Sequence, residues 1–377
     1  MGSSSERPDL AGVRVALLAP CFWPEVHRGG ERIVRSLADG LLAAGLRPRL
    51  ITSHPGRPRR AVEDGLPIAR HWRPPDGLLV RAGLEDHLTH LPFSYGDLRR
   101  GDDDLAHALF PTDGAVAAAW SRRTGRPAIL TYLGIPERTH LGQRRLRRRL
   151  LARAIAGSAA VTVLSRTAAE ALRRTRGVRA EVVPPAVDLD AFAPGPGRDP
   201  DPTVLCAAAP EAPMKRVDLL LAAWPDVLRA RPSARLLLLR PRDPRLAAEL
   251  SGRGTELLDP VPDARTVAAM YRRAWVSALP SVGDSFGLVL AEALACGTPV
   301  VGSRHGALPE LVDRPEIGRL FSSDDPRAVA EALLEGLELA EDPTTPATCR
   351  ARAQDFSPER STDAYLRLYA RARSAGR

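Results

Sequence analysis

Apolar residues fall along this chain in short unbroken runs that alternate with longer stretches in which they recur every three or four positions. Val13 to Ala19 (VRVALLA) is the first run, closed by Pro20. From Glu31 to Ala44 the spacing becomes helical, with Ile33, Leu37, Leu41 and Leu42 along one side. Gly45 ends that helix and Arg49 to Thr52 (RLIT) begins the next strand. Strand, amphipathic helix and strand in succession predict a parallel sheet with helices on its faces. Ala128 to Tyr132 and Ala159 to Leu164 read as further buried strands, with an arginine-studded helix from Gln143 to Ala156 between them. The region Pro55 to Asp113, rich in Pro, Gly, Arg and Asp, has weak periodicity and yields no clear elements.

Between Pro184 and Pro202 the sequence PPAVDLDAFAPGPGRDPDP has no apolar period and reads as a linker. The alternation then restarts. Strands are expected at Val204 to Ala208, Ala234 to Leu239, Trp275 to Leu279 and Pro299 to Gly302. Helices are expected at Val217 to Arg229, Asp263 to Arg273, Phe286 to Ala295, Leu308 to Val312 and Pro326 to Glu341. A chain of 377 residues is long for one domain. The division predicted is a first domain over 1–185, a linker over 186–202, a second domain over 203–357, and a last helix over 358–377 that braces back on the first domain. Two doubly wound α/β domains in tandem place a ligand cleft where the carboxyl ends of their strands face each other.

From Leu279 to Val312 the chain reads LPSVGDSFGLVLAEALACGTPVVGSRHGALPELV. A loop containing Gly283 and Gly287 opens a helix after a strand, so backbone amides and the positive helix end can hold an anionic phosphate. Asp284 and Glu292 stand eight residues apart, the first in the loop and the second about two turns into the helix. Glu292 sits in an otherwise apolar helix, LVLAEALA, where an unpaired carboxylate would be costly. For Asp284 a plain helix N-cap is the alternative.

This segment resembles the most characteristic stretch of the retaining glycosyltransferase family 4. The resemblance implies the GT-B fold, two Rossmann-like domains facing a central cleft, and transfer of a sugar from a nucleotide diphosphate sugar, a UDP- or GDP-sugar most often. It further implies that Glu292 accepts hydrogen bonds from the ribose, and that Asp284, the catalytic candidate, faces the transferred sugar. Phe286, Gly287, Leu288 and Val289, at the helix opening, and Val261 join the donor-binding candidates. Pro20 to Glu31 (PCFWPEVHRGGE) resembles the family's first loop, so Gly29 and Gly30 are expected to let backbone approach the diphosphate or acceptor, and His27 is a further loop candidate. Lys215 in Met214-Lys215-Arg216 matches the family's diphosphate lysine, against the alternative of an ordinary surface lysine. Four features depart from the pattern, one being Pro185-Ala186 where the family usually has Asn-Gly before Val-Asp. Asp284 is one methylene shorter than the usual Glu, Leu133 replaces a His, and Ala209 replaces the partner Arg, whose place Arg216 or an Arg from elsewhere in the chain would take.

The remaining features narrow the reading. Hydrophobic content of 44% with 26% charged residues is ordinary for a globular protein, and the net charge of +9 is nearly all arginine, in the Ala/Arg/Pro-rich style of a high-GC genome. Cys21, Cys206, Cys296 and Cys349 form no CxxC pair, so neither a zinc site nor a disulfide framework is suggested, and a reducing cytoplasm fits. No apolar stretch is long enough to span a bilayer, no cleavage-site pattern follows Val13 to Trp23, and Glu6 stands where a myristoylation motif needs Ser or Thr. The helix around Arg144 to Arg153, with Leu146, Leu150 and Ala154 on one side, suggests either peripheral contact with the inner membrane face or an ordinary solvated face. Nothing recommends nucleic acid as a partner, since aromatics make up only 5% of the chain and no DNA-binding motif is present. No metal is expected, since Asp102-Asp103-Asp104 reads as a solvated turn, and no cofactor, the nucleotide sugar being a substrate. The acceptor is left open among a glycan, a lipid and a small natural product. Besides an active transferase, two readings stand: a catalytically degenerate relative that binds nucleotide sugar or serves as a structural partner, motivated by Leu133, Ala209 and Asp284, and an epimerase of nucleotide sugars on the same scaffold, to which the Asp284 to Glu292 pattern does not belong.

Overall fold

The computed structural model describes residues 8–24, 29–75, 77–81, 87–136, 145–252, 254–261, 263–322 and 324–375. The chain forms two compact units, one made of Met1–Ala186 with Pro358–Arg377 and the other of Val187–Ser357. In the first unit the elements run β1 (Arg14–Leu18), α1 (Gly29–Ala43), β2 (Arg47–His54), β3 (Arg59–Glu63), β4 (Leu66–Trp72), α2 (Leu78–Arg81), α3 (His90–Arg100), β5 (Leu105–Ala108), α4 (Pro111–Thr124), β6 (Ala128–Tyr132), α5 (Arg145–Ala156), β7 (Ala160–Val163), α6 (Arg166–Arg176) and β8 (Glu181–Val182). The second unit holds β9 (Thr203–Cys206), a 3-10 turn at Pro213–Lys215, α7 (Val217–Ala230), β10 (Arg235–Leu239), α8 (Pro244–Leu250), β11 (Thr255–Leu258), α9 (Ala264–Arg273) and β12 (Val276–Leu279). It continues with α10 (Leu288–Ala295), β13 (Val300–Ser303), α11 (Leu308–Leu311), β14 (Gly318–Phe321), α12 (Pro326–Leu339) and α13 (Thr345–Ala353); α14 (Pro358–Ala375) then joins the first unit.

The first sheet has the order β3-β4-β2-β1-β5-β6-β7-β8 and is parallel except for β3, which hairpins onto β4. Alternation along its central strands explains the two helical layers. Val15 and Leu17 of β1 belong to one buried cluster with Val34 and Leu41 of α1 and Tyr365 and Tyr369 of α14. Ala16 and Leu18 belong to the other, with Trp120 of α4 and Leu151 and Ala154 of α5. The second sheet, β11-β10-β9-β12-β13-β14, is wholly parallel, and its strands β9, β12 and β13 are buried along their whole length. Strand order steps out from β9 in both directions, so the loops after β9, β12 and β13 meet at one carboxyl edge.

Two expectations are corrected by packing. The stretch 186–202, read as a linker, belongs from Val187 onward to the second unit, with Val187 and Phe192 1% and 3% exposed and the Arg350 guanidinium bonded to the carbonyls of Leu189 and Phe192. Asp102-Asp103-Asp104 is an ion-pair knot instead of a solvated turn: Arg49 donates to both oxygens of buried Asp103 at 2.7 and 2.6 Å, and Arg14 engages Asp104 and Asp102. Both corrections have one cause, carboxylates and carbonyls finding distant arginines that local periodicity does not reveal.

Candidate functional site

Three loops at the carboxyl edge of the second sheet are stitched together. The turn after β9 presents the Met214 carbonyl, which accepts the Val282 amide at 2.8 Å and the Ser281 hydroxyl at 3.0 Å from the loop after β12. Ser303, at the end of β13, donates its hydroxyl to the Ser281 carbonyl, and the Ala307 amide donates to the Asp284 carbonyl at 2.8 Å. Gly306 makes the last approach feasible. Its φ is +60°, and a Cβ there would lie 2.5 Å from the Asp284 oxygen.

This frame brings Lys215 and Asp284 together. The Lys215 ammonium donates to both Asp284 carboxylate oxygens at 2.9 Å each, with the two side chains 23% and 16% exposed. Asp284 is therefore not the helix N-cap. That position belongs to Gly287, at φ +91°, and α10 starts at Leu288, two residues later than expected. Leu308 packs so close that a Cβ on Gly287 would meet its Cδ2 at 2.5 Å. Helix geometry leaves the amides at this opening without intrahelical partners, and Leu288 and Val289 are partly exposed there.

Other candidates take different places. The Phe286 ring turns inward, edge-on to Phe356 at 5.0 Å, so its side chain packs within the unit. Arg216, in the left-handed region at φ +51°, places its guanidinium 3.2 Å from Asp324 and does not join the Lys215–Asp284 pair. Val261 lies in the segment between β11 and α9, partly exposed. Glu292 is 2% exposed and accepts a hydrogen bond from the Tyr271 hydroxyl at 3.1 Å, while Thr298 holds the Tyr271 carbonyl at 2.8 Å. Tyr271 was not singled out by sequence; its signal was the unexplained carboxylate of Glu292, which needed a buried donor.

In the first unit, Gly29 and Gly30 form the first turn of α1 instead of a loop before it. A Cβ on Gly30 would touch Leu133 Cδ1 at 3.5 Å and Phe110 Cζ at 3.7 Å, so an apolar pair borders the position. The carboxylate of Glu31, 2% exposed, accepts from the Cys21 thiol at 3.1 Å, a contact that sequence reasoning missed. His27 and Arg144 lie outside the described residues. The apolar side of α5 is used internally, with Leu150, Leu151 and Ala154 buried and Leu146 left 38% exposed, so the helix lacks the free apolar face of a membrane-surface helix.

Thiol chemistry is disfavoured in three places: burial pushes Cys206 up to about 11 and Cys296 and Cys349 up to about 12. Among the described residues no group of three or more His, Cys, Asp or Glu is placed to hold a metal ion, and no helix is long and apolar enough to cross a membrane.

Solved structures share this architecture. The sucrose-phosphate synthase of Thermosynechococcus elongatus superposes with a TM-score of 0.82 over 96% of this chain and all of its own, at 23% identity. The Anabaena protein HepE, in complex with UDP and glucose, gives 0.74 over 95% and 99%, at 17% identity. The fold is thus that of the GT-B glycosyltransferases. Residues 27–191 match the model of Glycosyltransferase Family 4, and residues 201–338 that of Glycosyl transferases group 1. The chain thus resembles glycosyltransferases along both of these stretches. Among its relatives are D-inositol 3-phosphate glycosyltransferases of Segniliparus rotundus, 39% identical over 38% of this chain and 36% of the relative, and of Saccharomonospora viridis, 36% identical over 52% and 51%. The chain thus spans about half the length or less of these relatives.

Proposed function

We propose that this protein moves a sugar from a nucleotide diphosphate sugar, a UDP- or GDP-sugar first among them, to an acceptor hydroxyl with retention at the anomeric carbon. The observation that carries the reading is the Lys215 ammonium, fixed on the stitched three-loop frame beside the opening of α10. Departure of a nucleoside diphosphate needs its growing negative charge met by groups already in place. Lys215 supplies a point charge, and the amides at Leu288 and Val289 supply the positive helix end. Glu292, oriented by Tyr271, is the acceptor for the ribose hydroxyls. Retention follows from same-face attack, in which the leaving phosphate helps take the acceptor proton, so no enzyme nucleophile is required. The names of the relatives make a phosphorylated polyol such as inositol 3-phosphate one acceptor to test, beside glycans, lipids and small natural products.

The test is a calorimetric and thermal-shift panel of UDP, GDP, ADP and TDP with their common sugars on the wild type and on Glu292→Gln. One nucleotide should bind, at least several-fold more weakly to the variant, whose melting temperature reports that it remains folded. Binding of none of them would overturn the transferase reading and favour a degenerate, non-catalytic relative.

A further inference from the structure

The pairing of Lys215 with Asp284 has a consequence for how tightly the nucleotide is held. Both Asp284 oxygens sit 2.9 Å from the Lys215 nitrogen, so the lysine that would meet the diphosphate already has a carboxylate in its first contact layer. The arrangement is built, not incidental. Asp284 is fixed from behind by the Ala307 amide on its carbonyl and by the close approach of Gly306, and Lys215 is fixed by its amide on the Ala212 carbonyl at 2.8 Å and by the bonds to the neighbouring Met214. With 23% and 16% exposure, the pair is open to a ligand yet partly shielded from water, where charges act on each other more strongly than in bulk.

Resting on the transferase reading above, we propose that Asp284 is a positioning residue that acts through Lys215, competing with the nucleoside diphosphate for the ammonium and so keeping the spent nucleotide from binding tightly. The Lys215 ammonium has three donors and meets both oxygens of the Asp284 carboxylate. An arriving diphosphate shares the ammonium with Asp284 or displaces a carboxylate oxygen, and in either case brings negative charge beside the Asp284 carboxylate. Holding the lysine in place favours the diphosphate geometrically; the repulsion from Asp284 opposes it electrostatically. The second effect dominates, because both loops are already pinned by backbone hydrogen bonds that do not involve the carboxylate. If Asp284 instead contacted only the transferred sugar, bare nucleotide would not sense it.

The experiment titrates UDP with UDP-glucose, and GDP with GDP-mannose, into the wild type, Asp284→Asn and Asp284→Glu by calorimetry at two salt concentrations, with melting temperatures as a check on folding. Asp284→Asn is expected to bind the bare nucleoside diphosphate about tenfold more tightly, the order expected for removing one like charge at contact range. Asp284→Glu, which keeps the charge, should stay within about twofold of the wild type. The gain should shrink at high salt. Unchanged nucleoside diphosphate affinity with weaker nucleotide-sugar binding would overturn the proposal in favour of a direct sugar contact, and weaker binding of both would show that the carboxylate is needed only to hold Lys215. A wild type that binds none of UDP, GDP, ADP, TDP and their common sugars overturns the transferase reading, and this proposal with it.

Discussion

In the first unit, His107 donates or accepts at 2.6 Å with the Tyr369 hydroxyl and at 2.7 Å with Thr131, which in turn meets Thr162 at 2.6 Å and Tyr365 at 3.4 Å; all five residues are 3% exposed or less. In the second unit, Lys215 and Asp284 are as closely bonded but remain partly open to solvent. The contrast separates two uses of polar residues. The first network ties α14 to β5, β6 and β7 and satisfies groups that would be costly if left unpaired inside. The second holds opposite charges in a place partly open to solvent. Burial, more than bond length, separates the two: the first network is closed to solvent and the Lys215–Asp284 pair is not.

The largest expected effect lies on the buried side of this comparison. Tyr369→Ala removes a fully buried ring and a hydroxyl partner of His107, and should cost about 3–5 kcal/mol of stability in urea denaturation. A loss under about 1 kcal/mol would mean that α14 is not held by this network.

Acidity acts on the same cluster. Burial lowers the His107 pKa from 6.5 to about 3. The unfolded chain therefore takes up a proton near pH 6.5 that the folded chain refuses until about pH 3, so stability falls as pH drops through that window. The slope is about 1.4 kcal/mol per pH unit, or about 2 kcal/mol by pH 5. His107→Gln should lose this contribution, seen as a shallower stability curve between pH 6.5 and 5; parallel curves would show that His107 protonates in the fold.

A middle case is Tyr271→Phe, which leaves Glu292 buried without the hydroxyl at 3.1 Å. About 1–2 kcal/mol of stability should go, together with several-fold of nucleotide affinity. An affinity that is unchanged would detach Glu292 from the ligand. Smallest of all should be the stability effect of Lys215→Met, within about 1 kcal/mol, as befits a partly exposed ion pair. A larger loss would move this pair to the structural side of the comparison.

Much of this was legible in the sequence where local pattern decides structure. The helix at Glu31 to Ala44 and the strands at Ala128 to Tyr132 and Ala234 to Leu239 follow from period alone, and correspond to α1, β6 and β10 within a few residues. Pro55 to Asp113 stayed dark for a physical reason. Its β3 is an exposed edge strand, RRAVE, and α3 carries His90, Ser94 and Asp97 on its buried side, so neither shows an apolar period. Lys215, Asp284 and Glu292 stand as candidates through their match to the family's motifs, which carry no sign of their partners in the fold. A 69-residue separation joins Lys215 to Asp284 and 21 residues separate Tyr271 from Glu292, distances over which no local pattern operates. In the sequence a ring or guanidinium at a loop reads the same whether it turns outward or, as the Phe286 ring and the Arg216 guanidinium do, toward Phe356 or Asp324.

The central claim, that the second unit carries a nucleotide diphosphate site centred on Lys215, is tested most directly by titrating the preferred nucleoside diphosphate into the wild type and Lys215→Ala. At least tenfold weaker binding to a variant with an unchanged melting temperature is the predicted result, about 1.4 kcal/mol of binding energy. Equal affinity in the two proteins would contradict it.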